Sequence, residues 1–169
     1  MTSSPWTNPS AESPERAAES MRAGRPVALV PGVRVVGAHG GAGVSAVQSL
    51  LAQAGVSDAP DRSGLLVVCR SSASGLEAAR SWARMWDSTR SAWLGGALLG
   101  LVVINDSPGR LPRVLTHLLQ LTSGGFPRVW RLGWCEAWRR GEPVSRSSGP
   151  SGTRRLVSDV ARLCGREVQ

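Results

Sequence analysis

The stretch VRVVGAHGGAGVS, residues 33–45, decides the fold. A valine-rich run ends in a turn carrying Gly37, Gly40, Gly41 and Gly43. Helical periodicity begins at Ser45, runs through SAVQSLLAQA to Ala54 and stops at Gly55. Strand, glycine turn and helix open a strand–helix–strand unit, and the pattern recurs downstream. LLVVC (65–69) reads as a buried strand, and Ser74 to Asp87 as a helix with Leu76, Ala79, Ala83 and Trp86 along one face. LLGLVVI (98–104) is a third strand, RVLTHLLQLTS (113–123) a third helix ended by Gly124-Gly125, and VWRLGW (129–134) a fourth strand. These strands are apolar throughout rather than alternating, which argues for a parallel sheet covered on both sides. The expected fold is α/β, a small three-layer parallel sheet of about four strands with helices on both faces.

Around this block the composition changes. Residues 1–27 are rich in Ser, Pro, Ala and Glu without an apolar period and read as a disordered N-terminal arm, with one short helix from a Ser13 cap through Pro14 to Gly24. Residues 28–140 form the α/β domain, GEPVSRSSGPSGT (141–153) a polar linker, and 154–169 a basic amphipathic C-terminal helix capped by Thr153. Leu156, Val157, Val160, Ala161, Leu163 and Cys164 make its apolar stripe, with Arg154, Arg155 and Arg162 around it. Such a stripe suits the chain's own core, a partner protein or an anionic membrane, and its lack of a bulky aromatic weakens the membrane reading.

Hydrophobic residues make up 41% of the 169, enough to bury a core. All 20 basic residues are Arg, so lysine bases, Schiff bases and the phosphate-gripping lysine of a nucleotide loop are excluded within this chain. Nearly all of the +8 net charge lies in residues 110–169, where eleven Arg face four acidic residues. That excess favours DNA or an anionic membrane as partner, against the alternative of a solvated basic face. Cys69, Cys135 and Cys164 are far apart and show no C-x-x-C spacing, which excludes a disulfide scaffold and a cysteine zinc site. Without a signal peptide or a run of 18 apolar residues, the expected location is the cytoplasm. His39 and His117 have no metal-ligand spacing, and no G-x-S-x-G motif or paired carboxylates point to a hydrolase. Asp58 and Asp61 read as turn residues, and Trp82 and Trp86, one helical turn apart, as core.

The glycine turn carries the chemistry. Glycines there let backbone N–H groups converge beside the positive end of the helix, forming a nest whose usual occupant is phosphate. Ser45 would open the helix, ligating Mg²⁺ or capping it. Against G-x-x-x-x-G-K-[ST], the fixed positions fall on Ala38, Gly43, Val44 and Ser45, so the lysine has become Val. The bland counterpart is a turn that stays glycine-rich only because it packs closely.

HGGAGVS (39–45) resembles the deviant Walker A motif, K-G-G-x-G-K-[ST], of the ParA/MinD group of P-loop ATPases. Gly40, Gly41, Gly43 and Ser45 match, while His39 and Val44 replace the lysine that reaches across the dimer and the in-loop phosphate lysine. LLVVCRSSASGLEAARSW is similar to the family's late strand and Ser-Leu-x-x-Ala helix, and GLVVIN (100–105) to its Val-hydrophobic-Asn strand. RVWRLGWCEAWR (128–139) is similar to the final strand and loop, with Gly133 where proline is expected. On this alignment Asn105 takes the place of the asparagine that contacts adenine, and the middle strands with the switch aspartates and Walker B are missing. A second alignment takes VVIND as Walker B and gives Asp106 the magnesium-bound water.

The resemblance spans about residues 33–139 and implies a truncated P-loop NTPase-like domain. The site it implies consists of His39, Gly40, Gly41, Ala42, Gly43, Val44, Ser45, Asn105 and Asp106, taking ATP or ADP with Mg²⁺ on Ser45, or no cofactor at all. With both lysines gone, the implied function is that of a pseudoenzyme: a non-hydrolysing accessory protein with a protein partner, or a homodimer. The alternatives are an active ATPase of plasmid or mobile-element partition or transfer, with Arg34, Arg70 or Arg110 in place of the lysine, and a nonspecific DNA-binding protein. GAHGGAGVS and DSPGRLP (106–112) are also similar to motifs of uncharacterised actinobacterial proteins often found on mobile elements.

Overall fold

The structure, a computed structural model, describes residues 32–56, 64–89 and 96–165. The expected N-terminal arm with its Ser13 helix, and Asp58 and Asp61, lie outside the described residues. The elements are β1 (Val33–Gly37), α1 (Val44–Ala52), β2 (Gly64–Arg70), α2 (Ala73–Thr89), β3 (Ala97–Ile104), α3 (Arg113–Ser123), β4 (Val129–Leu132), α4 (Glu136–Arg139) and α5 (Thr153–Leu163). Among the described residues the four strands form one parallel sheet in the order β1-β2-β3-β4. The fold is α/β, with helices on both faces of the sheet.

The apolar runs explain the layering. Gly64 to Cys69 of β2 are all buried, so their alternate side chains need partners on opposite faces. Leu66 and Val68 meet Val47, Leu50 and Leu51 of α1 on one face. Val67 and Cys69 meet Leu76, Ala79 and Ala83 of α2, and Leu119 of α3, on the other. Trp82 and Trp86 stack at 5.7 Å beside this second cluster, with Phe126 at 6.4 Å from Trp82, so these rings serve packing, as their spacing suggests. His117 is exposed on α3.

Each connection steps the same way across the sheet, yet α1 lies on the face opposite α2 and α3. The β1–β2 connection therefore has the opposite hand to the other two, a departure from the usual uniform handedness of parallel crossovers.

α5 packs on the α1 face. Leu156, Val157, Val160 and Ala161 are buried there together with Trp130 and Leu132 of β4. The stripe that suited core, partner or membrane is thus covered by the chain's own sheet. The polar stretch leading to α5 is pinned as well. Gln53 Nε2 donates to the Val144 carbonyl at 2.8 Å, the Arg146 N–H to Gln53 Oε1 at 3.1 Å, and the Gly133 N–H to the Ser151 carbonyl at 2.9 Å. Gly152 (φ +91°) lies so close to the Arg131 carbonyl that no side chain fits.

Truncating a buried Leu leaves a cavity, so Leu156→Ala is expected to destabilise the protein by about 2–5 kcal/mol. The exposed Arg154→Ala should stay within about 0.5 kcal/mol of the parent. Urea unfolding of both variants measures the difference, and equal midpoints would mean that α5 is not docked.

Candidate functional site

Parallel strands deliver all their carboxyl ends to one edge, where ligands of open α/β sheets bind. Here the residues following β1, β2, β3 and β4 surround a cavity of about 410 Å³. His39, Gly40, Gly41, Arg70, Asn105 and Asp106 line it together with Trp134, Trp138 and Arg139.

The glycine turn enters after Gly37, anchored by the Ala38 N–H on the Val68 carbonyl at 2.8 Å. Gly41 (φ +72°) and Gly43 (φ +100°) adopt the left-handed conformation that favours glycine. A Cβ at Gly43 would also meet Ile104 Cδ1 at 2.6 Å, whereas at Gly40 or Gly41 it would meet nothing within 4 Å. Close packing therefore explains Gly43 but not the open space at Gly40 and Gly41. The N–H groups of Gly40 and Gly41 donate to no other described residue. Together they have the makings of an anion nest.

The expected site is only partly assembled. His39, Gly40, Gly41, Asn105 and Asp106 line the cavity. Ala42 is buried, and Val44 packs against the core. The helix opens at Val44, with Gly43 as its N-cap and no side-chain cap. Ser45 is therefore neither the first helical residue nor a cap; it is exposed and off the cavity wall. Among the described residues no group of three or more His, Cys, Asp or Glu is placed to hold a metal.

His39 ties the turn to β2. Its Nε2 accepts the Arg70 backbone N–H at 3.1 Å, which puts the ring proton of the neutral form on Nδ1, 2.8 Å from the Gly40 carbonyl. With both ring nitrogens engaged, His39 braces the loop rather than offering a proton to a ligand.

Arg70 supplies the cation at the loop. Its Nε donates to the Gly41 carbonyl at 3.2 Å and lies 3.9 Å from Asp106 Oδ1. Arg34 and Arg110, its rivals by sequence, are exposed and do not line the cavity. Asp106 is set by its own N–H, which donates to the buried Ser71 Oγ at 3.0 Å.

The part of the lining that follows β4 was not identified from the sequence. Arg139 lies over the Trp134 ring at 5.7 Å, and Trp134 Nε1 donates to Glu136 at 3.2 Å. Asn105 Oδ1 and Trp138 Nε1 are buried without a hydrogen-bond partner among the described residues, an unusual state for polar atoms. The signal available was WRLGWCEAWRR, where tryptophan and arginine crowd together just after a strand.

A family of unknown function, DUF6668, matches residues 31–157. The chain belongs to DUF6668. No curated protein and no solved structure matches it. The DUF6668 match begins before β1 and ends inside α5, so it takes in the glycine turn, the whole cavity wall and the start of the docked helix.

Burial, with a smaller contribution from nearby Asp106, pushes the Cys69 thiol from 9.0 up to about 12. Near pH 8, iodoacetamide is expected to modify Cys135, half-buried on the cavity wall, while Cys69 reacts only after unfolding, as peptide mass mapping would show. The unfolded thiol ionises at lower pH than the folded one, so the protein loses stability as pH rises from 9.0 to about 12. Cys69→Val should remove that part of the alkaline loss in urea titrations.

Proposed function

We propose that this DUF6668 chain binds a nucleotide in the cavity and acts as a non-hydrolysing interaction protein. The observation that carries the reading is the glycine turn, whose Gly40 and Gly41, with N–H groups that donate to no other described residue, line the cavity together with Arg70. Backbone donors and a planar cation together suit phosphate oxygens. Asn105 and Trp138 also line the cavity, and their Oδ1 and Nε1 atoms are buried without a hydrogen-bond partner among the described residues, so a base that turned these side chains toward it would satisfy both. A nucleobase edge offers both a donor and an acceptor, and the ParA/MinD resemblance gives Asn105 that role.

Val44, which stands where the resemblance expects a lysine, packs against the core, and Asp106 faces Arg70 at 3.9 Å rather than standing alone at the loop. Both features favour binding over turnover. The odd hand of the β1–β2 connection supports a truncated P-loop NTPase-like domain, because deleting strands between α1 and β2 would leave such a crossover. No helix among the described residues is long and apolar enough to cross a membrane, and with free cysteines the reading is of a cytoplasmic protein.

A second reading has its own observation. Asp159, which accepts Trp130 Nε1 at 3.0 Å, sits 3.8 Å from both Arg155 and Arg162, and a cleft of about 380 Å³ beside it includes Arg128. These arginines suit a DNA backbone, and that reading requires an affinity that falls steeply with salt.

Calorimetric titration with ATP, ADP and GTP, with and without Mg²⁺, tests the first reading. Micromolar binding is expected, weakened about tenfold or more in Gly40→Val, which fills open space at an unstrained residue. No binding at millimolar nucleotide overturns it, and steady ATP turnover that is lost in Asp106→Ala would make the protein an ATPase instead.

A further inference from the structure

We infer that Asp106 is a built-in counter-ion for Arg70, holding the place that a ligand phosphate takes, so that the cavity admits its ligand by displacing a carboxylate. This rests on the nucleotide reading and gives Asp106 a role opposite to that of a magnesium-holding acid. Arg70 is fixed at both ends: its backbone N–H is held by His39 Nε2 at 3.1 Å and its Nε by the Gly41 carbonyl at 3.2 Å. Its guanidinium therefore stays at the mouth of the glycine turn whether or not a ligand is present.

Asp106 is held just as firmly from behind. Its N–H is bound to Ser71 Oγ at 3.0 Å, the Ser71 N–H to the Ile104 carbonyl at 3.0 Å, and the neighbouring Asn105 N–H to the Leu132 carbonyl at 2.9 Å. The frame of β2, β3 and β4 thus presents the carboxylate to Arg70 at 3.9 Å, with the two side chains 38% and 34% exposed. A pair so accessible is weakly held, and an incoming anion can compete for it.

Among the described residues Arg70, Arg139 and Asp106 are the cavity's Arg, Asp and Glu side chains, and both ring nitrogens of His39 are engaged in hydrogen bonds. Asp106 therefore cancels one of two cations and repels any phosphate reaching the loop. A ligand with several anionic oxygens displaces the carboxylate from Arg70, and a singly charged one competes poorly.

The test is calorimetry on the full chain with inorganic tripolyphosphate and with ADP, both without Mg²⁺. Asp106→Asn, or Asp106→Ser as an independent substitution, is expected to tighten both ligands by about three- to tenfold, an advantage that shrinks with added salt. Arg70→Gln is expected to weaken both by about tenfold or more, and adding Asp106→Asn to it should bring no gain. Thermal melts check that each variant is folded. If wild type binds and the Asp106 variants bind equally or more weakly, the counter-ion role is wrong while the nucleotide reading stands. If wild type binds neither ligand nor Mg²⁺-ATP, the nucleotide reading itself falls.

Discussion

A parallel strand that is apolar on both sides has to be kept dry on both sides, and β2 and β3 place that demand on the whole chain. Every described residue of β2 up to Cys69 is buried, as is β3 from Leu99 to Ile104. α2 and α3 cover one face. On the other, α1 is only nine residues long and borders β1, leaving β3 and β4 uncovered. α5 closes that gap, which is why a helix following a Gly- and Pro-rich stretch is part of the core rather than an appendage.

The same constraint builds the site. Parallel strands point the same way, so whatever follows each of them arrives at one edge. The glycine turn after β1, Arg70 at the end of β2, Asn105 and Asp106 after β3, and the Trp134–Arg139 segment after β4 are brought together by that geometry alone. A cation can then reach the glycine turn from a neighbouring strand, while Val44 at the end of the turn packs inward.

Docking α5 also sorts the charge. Its apolar face is spent on the sheet, so the arginines of the C-terminal third that surround it stay at the surface. Membrane insertion through that stripe would first have to undo the packing of Leu156, Val157 and Val160. Trp130 shows the same economy: the ring fills the core while its Nε1 reaches Asp159 and fixes where Arg155 and Arg162 meet a common carboxylate.

Local periodicity and glycine chemistry are short-range properties, and the sequence by itself determined what depends on them: the alternation of buried strands and helices, the parallel sheet covered on two sides, the glycine turn between β1 and α1, and the neighbours Asn105 and Asp106 after β3. The tertiary structure decided everything that depends on which strand lies beside which. It chose Arg70 over Arg34 and Arg110, engaged both nitrogens of His39, turned Val44 into the core and left Ser45 off the wall. It also brought Trp134, Trp138 and Arg139 across from the far end of the sheet and laid α5 over the open face. None of these is written in the spacing of residues along one segment, because each is a contact between segments that only the lateral order β1-β2-β3-β4 makes neighbours.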